Sequence, residues 1–135
     1  MSDATSTINK LFEKDPFSQW LGIRLGKIAE GEAGLSMTVR EEMLNGFGTS
    51  HGGIAYSLAD SAFAFAANSY GELSVALETH MQYMKPVYSG DVLTAVAKEE
   101  SRTRKIAVYS ITICNQDDVK VALFYGTVYR LEKEL

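Results

Sequence analysis

The chain has 135 residues, 46% hydrophobic and 22% charged, which fits one folded domain with a real core and excludes a disordered or fibrous chain. Thirteen Lys and Arg against 17 Asp and Glu leave a formal net charge of -4, and the absence of a long basic run argues against nucleic acid as a main partner. The most apolar run, near residues 62–67, is far shorter than a membrane span, and no early basic-then-apolar block resembles a signal peptide, so a cytoplasmic protein without a membrane partner is expected.

In chain order, residues 1–21 read as a helical lead-in, broken by Pro16 into residues 5–14 and 17–21. Strand patterns follow at 22–30 and 33–39, with Gly31 as the turn between them. After a glycine-rich loop, residues 53–68 read as a helix stopped at Ser69-Tyr70-Gly71. Ile54, Ala55, Leu58, Ala59, Ala62, Phe63, Ala66 and Ala67 give it one apolar side, and Tyr56, Ala64 and Phe65 carry apolarity most of the way round. A helix of that kind is a buried one. Four β-rich segments then run at about 73–83, 91–100, 106–114 and 119–131, joined by what read as short hairpin connections at 86–90, 101–104 and 115–118. These elements predict an α+β fold, one domain over 1–135, with an antiparallel meander wrapped on a central helix. The single cysteine, Cys114, has no partner for a disulfide or a metal site and reads as a core residue.

The chemistry concentrates in Asn45-Gly46-Phe47-Gly48-Thr49-Ser50-His51-Gly52-Gly53 and in the one acid of the following helix, Asp60. A flexible, polar loop that ends on a helix start presents backbone N–H groups with no intrahelical acceptor. A carboxylate set among Ala, Leu and Phe is a candidate for a shifted pKa and for acid–base or nucleophilic work. Each residue has a plain structural alternative: Asp60 as a satisfied helix residue, Asn45 as a turn former, His51 as a helix-start residue, the Gly52-Gly53 pair as a close-packing device. Their concentration around one helix start favours chemistry. The glycine spacing G-x-G-x-x-x-G misses the dinucleotide fingerprint, no phosphate loop or G-x-S-x-G elbow exists, and His51 and His80 lack helical metal spacing. No metal is expected. His80 reads as structural or as a subunit contact, Phe17 and Trp20 as core or as a lid.

Gly52 and Asp60 are eight positions apart, about 12 Å along a helix rising about 1.5 Å per residue. One carbonyl carbon cannot meet both groups of the same chain. Two such helices antiparallel across a two-fold axis bring the start of one beside the acid of the other, so a catalytic motif implies a dimer with two shared sites.

The block N-G-F-G-T-S-H-G-G-I-A-Y-S-L-A-D, followed by Y-M-K-P and by V-A-L-F-Y-G-T-V-Y-R, resembles the hotdog-fold acyl-CoA thioesterases, and within them the phenylacetic-acid-degradation (PaaI-type) branch. The resemblance covers about residues 17–130. It implies a long helix wrapped by a curved antiparallel sheet, dimers joined edge to edge, often tetramers, and hydrolysis of an acyl-CoA, the coenzyme A being part of the substrate and no cofactor being needed. By the same resemblance Asp60 is the base that activates water or the nucleophile that attacks the thioester, and the Gly52 N–H polarises the carbonyl. Gly53 keeps the approach open, Asn45 orients the carbonyl or the water, and His51 positions Asn45 or meets the leaving thiolate. Some relatives hold the water with a Ser or Thr near the start of the next strand; the aligned residue here is Ala76, which leaves direct attack by Asp60 open. Lys85 and the run Arg102-Thr103-Arg104-Lys105 are candidates for the CoA phosphates, the alternative being an ordinary solvated hairpin tip. A non-catalytic acyl-CoA-binding module and an acyl-thioester hydratase or dehydratase of the same fold are the competing functions. The acyl group is expected to be small, an aryl-acetyl group among the options.

Overall fold

Proline 16 starts a helix rather than continuing one. In the computed structural model, which describes residues 3–135, α1 (Asp3–Glu13) ends ahead of it and α2 (Pro16–Trp20) begins with it. The missing N–H of proline costs nothing there, and Asp15 caps the helix by accepting from the Ser18 N–H. A hairpin follows, β1 (Arg24–Ala29) and β2 (Glu32–Thr38), turned at Gly31 with a φ of 77°. The loop then leads into α3 (Gly52–Ala67), and β3 (Glu72–Tyr83), β4 (Val92–Arg102), β5 (Ile106–Cys114) and β6 (Lys120–Glu134) complete the chain. Element boundaries agree with the expected ones to within about three residues.

All six strands form one antiparallel sheet in the order β1-β2-β4-β5-β6-β3, and it wraps α3, which packs on β2 through β6. This is the hotdog arrangement. Alternation along the strands sends Leu35, Met37, Ala95, Tyr109, Ile111, Ile113 and Phe124 inward, where they meet Leu58, Ala62, Phe63 and Ala66 of α3. Phe63 makes edge and tilted contacts with Tyr109 and Phe124, ring centres 5.9 and 5.8 Å apart. Gly126 supplies the clearance, since a Cβ there would stand 2.5 Å from the Phe63 ring.

Two expectations are corrected. The 86–90 connection is no hairpin: β3 pairs only with β6, at the far end of the sheet from β4. The Met84 and Lys85 N–H groups both donate to Val121 O, Pro86 has no N–H to give, and the segment then turns to other partners. Ser50 donates to Val87 O and Gly90 to Val39 O, so the crossing runs beneath the glycine-rich loop and supports it. Cys114 is half-buried at the end of β5 rather than in the core, because the inward positions there belong to Ile111 and Ile113.

Candidate active site

Asn45 builds the loop. Its Oδ1 accepts from the Phe47 N–H at 2.9 Å and the Thr49 N–H at 3.2 Å, while Nδ2 donates to Thr49 Oγ1 at 3.1 Å. Gly48 takes the left-handed turn position with a φ of 83°. The far side of the loop is clamped by Ser50 N–H on Val87 O at 2.7 Å and His51 N–H on Met43 O at 2.8 Å. His51 is the N-cap of α3, its Nδ1 accepting from the Gly53 N–H at 2.9 Å. No hydrogen bond joins it to Asn45 among the described residues. The Gly52 N–H, at the first helical position, has no acceptor among the described residues.

A cavity of about 370 Å³ opens at this helix start, walled by Asn45, His51, Gly52, Tyr83, Lys85 and Val87 among others. Tyr83, to which the sequence attached no role although it opens the Tyr-Met-Lys-Pro stretch, lies against Gly52 and donates from its hydroxyl to Gly52 O at 2.8 Å. Lys85 is exposed at the rim.

Asp60 is not in this cavity. The apolar neighbours in sequence suggested a buried acid, yet in the single chain Asp60 is exposed. It lies on the one strip of α3 the sheet leaves uncovered, Gly53, Ser57, Asp60 and Ala64, four residues with helical spacing. One flank of that strip is α2, docked where Ser18 Oγ and Ser61 Oγ lie 2.7 Å apart. The other is β3, reached by the hydrogen bond between the Tyr56 and Thr79 hydroxyls. Partial burial in this groove raises the Asp60 pKa above its ordinary 3.8, and the carboxylate of Asp15, the cap of α2, raises it further.

The basic hairpin is at the other end of α3 and its cations are engaged. Arg102 stacks on the Tyr70 ring at 3.7 Å and lies 3.9 Å from Glu99, which also accepts from the Tyr70 and Tyr109 hydroxyls. Arg104 pairs with Glu132 at 2.9 Å, Lys105 lies 3.9 Å from the same carboxylate, and Thr103 closes the turn onto Ile106 O. Thus Asn45, His51, Gly52 and Lys85 converge on the cavity, with Gly53 held against His51 behind it, while Asp60 and residues 102–105 lie apart from them within one chain. Phe17 and Trp20 are neither core nor closed lid but an exposed stack, ring centres 6.0 Å apart, with Arg40 over Trp20. His80 is exposed on β3, stacked on Tyr125 and 2.8 Å from Glu78. Among the described residues no three His, Cys, Asp or Glu side chains converge as a metal site would require.

The chain is similar to known proteins over most of its length. The family model of the thioesterase superfamily matches residues 47–122, from the loop to β6. An acyl-coenzyme A thioesterase, PaaI, of Escherichia coli is 40% identical over 128 residues, 95% of this chain and 91% of the relative. A solved structure of Escherichia coli PaaI, from the phenylacetic acid degradation operon, superposes with a TM-score of 0.96 at 39% identity, covering 98% of this chain and 96% of the other. A Streptococcus mutans protein solved with bound acetyl CoA superposes with a TM-score of 0.80 at 25% identity over 84% of this chain and 91% of its own.

Proposed function

Because the chain belongs to the thioesterase superfamily, we propose that it hydrolyses a small acyl-CoA, an aryl-acetyl-CoA being the leading candidate, to the free acid and CoA. The observation that carries this reading is the unpaired Gly52 N–H at the start of α3, opening on a cavity that Asn45 and His51 share. A thioester oxygen held there meets an N–H donor and the positive end of the helix, both of which favour the negative charge that develops when the carbonyl is attacked.

The attacking group comes from a second subunit. β3 is a 12-residue edge strand with Val75 and Leu77 exposed, and an open apolar edge of that length calls for a partner strand. Pairing two β3 strands across a two-fold axis turns the uncovered strips of the two α3 helices toward each other. Asp60 of one subunit then stands near Gly52 of the other. As base, its carboxylate takes a proton from water while the oxygen adds to the carbonyl carbon; as nucleophile, it forms an acyl anhydride that water opens. In both routes the C–S bond breaks and CoA departs as the thiolate.

Lys85 at the rim, together with the 102–105 hairpin of the second subunit, meets the CoA phosphates. The dimer packs further to a tetramer, and the protein works in the cytoplasm. Support for CoA comes from two relatives, an acyl-coenzyme A thioesterase and a protein solved with acetyl CoA bound. The test is thiol release from a panel of CoA thioesters, with Asp60→Asn alongside. The expected result is turnover on a small or aryl-acetyl ester and its loss by about a hundredfold or more in the variant, since the amide keeps the shape but has neither basicity nor charge. Full turnover in the variant removes Asp60 from the mechanism. Ester binding without thiol release would instead identify an acyl-CoA-binding module.

A further inference from the structure

Tyr83 ends β3 and leans back over the start of α3, where its hydroxyl donates to Gly52 O at 2.8 Å. The same peptide unit carries the Gly53 N–H, which donates to His51 Nδ1 at 2.9 Å. Phenol, peptide and imidazole therefore form one directional chain, O–H to O=C and N–H to Nδ1. In such a chain each bond strengthens the next, because a carbonyl that accepts a hydrogen bond makes its own amide a better donor.

The two glycines make room for it. A Cβ at Gly52 would stand 3.3 Å from the Tyr83 hydroxyl oxygen, and one at Gly53 would stand 3.2 Å from His51 Nδ1. Either contact is tight enough to push a ring aside. The Gly-Gly pair thus admits the phenol on one side and the imidazole on the other.

We propose that Tyr83 is a positioning residue: acting through the Gly52–Gly53 peptide, it holds His51 in the tautomer whose Nδ1 accepts and whose Nε2–H donates at the cavity both residues line. A neutral imidazole with Nδ1 accepting carries its proton on Nε2. The ring then offers the bound ester a hydrogen bond with no change of protonation. What that donor meets rests on the thioesterase reading: the thiolate that departs as the C–S bond breaks accepts the hydrogen bond, keeps its charge, and is protonated by solvent. Partial burial, and to a lesser extent Tyr56, raise the Tyr83 pKa above its ordinary 10.0, so the phenol remains a donor at neutral pH.

The experiment compares Tyr83→Phe with the parent protein by long-range 1H–15N correlation of the imidazole rings. The chain has only two histidines, and His80, with its own partners Glu78 and Tyr125, is the internal control. Phenylalanine keeps the ring over Gly52 and removes only the hydroxyl. The His51 nitrogens are expected to leave the Nε2–H pattern for an average of the two tautomers while those of His80 stay in place. On CoA thioesters kcat is expected to fall roughly five- to tenfold with KM within about twofold, the loss of one hydrogen bond felt in turnover. Gly53→Ala, which crowds Nδ1 from the other side, should move the same His51 signals. An unchanged His51 pattern in Tyr83→Phe overturns the proposal, and so does an unchanged kcat in a variant whose tautomer has shifted. If the parent protein releases no thiol from any CoA ester, the thioesterase reading fails, while the spectra still decide whether Tyr83 sets the tautomer.

Discussion

At Asp60 the interest of function and that of stability oppose each other. The folded chain holds the Asp60 proton more tightly than the unfolded chain does, first through desolvation and then through Asp15. A group whose folded pKa is raised costs stability as pH climbs from its ordinary value of 3.8 through its folded value, and the full cost is present above that. Asp60→Asn, which does not titrate, should therefore melt at a higher temperature than the parent near neutral pH, with the gap closing in acid below the ordinary carboxylate range. A variant no more stable at neutral pH would show that the carboxylate is not strained. The acid limb of kcat/KM should follow the same group, and Asp15→Asn should move it to lower pH, since the amide still accepts from Ser18 but no longer repels the charge on Asp60. Asp60 stood out in the sequence as the one acid of its helix, as did the turn-forming habit of Asn45, whereas Asp15 did not. The exposure of Asp60 was not, because it depends on which strip of α3 the sheet leaves open. Nor was the fate of Arg102, whose partners Tyr70 and Glu99 come from α3's exit and from a strand.

Between elements, the sequence displayed local periodicity well and long-range pairing poorly. The apolar circumference of α3 and the alternation in β5 announced themselves, because each is a property of adjacent residues. The pairing of β3 with β6 spans the whole second half of the chain, and nothing in residues 84–91 alone distinguishes a crossing from a hairpin. Gly126 shows the same limit. In sequence it is a glycine inside a strand; in the fold it is the clearance for Phe63, whose ring would lie 2.5 Å from an added Cβ. Gly126→Ala should destabilise the protein by about 1–3 kcal/mol, the usual range for overpacking a core, as read from chemical denaturation midpoints at constant m-value. Phe63→Leu in the same chain should recover part of that loss, since the smaller side chain yields the space. If the double variant is simply the sum of two losses, the contact is not what makes glycine necessary.

For the molecule as a whole, the separation of Gly52 from Asp60 decides how many chains make one site. α3 runs unbroken from one to the other, so the spacing of about 12 Å along its axis stands, and the cavity at Gly52 does not include Asp60. If the acid and the donor act on one carbonyl, they belong to different subunits. Mixed dimers test this directly. Gly52→Pro removes the N–H donor at the first position of α3, where proline is otherwise tolerated, although its ring presses toward Tyr83; size and circular dichroism would verify the fold and the exchange of chains. Each variant alone, Asp60→Asn or Gly52→Pro, should be nearly inactive. In a mixed dimer, one site receives both defects and the other receives neither, because the intact Gly52 of the first chain faces the intact Asp60 of the second. Random exchange of equal amounts makes about half the dimers mixed, each with one of its two sites restored, so about a quarter of the parental activity should return under the two-fold arrangement. Mixed dimers without recovered turnover would place donor and acid on the same chain and rule out the shared site.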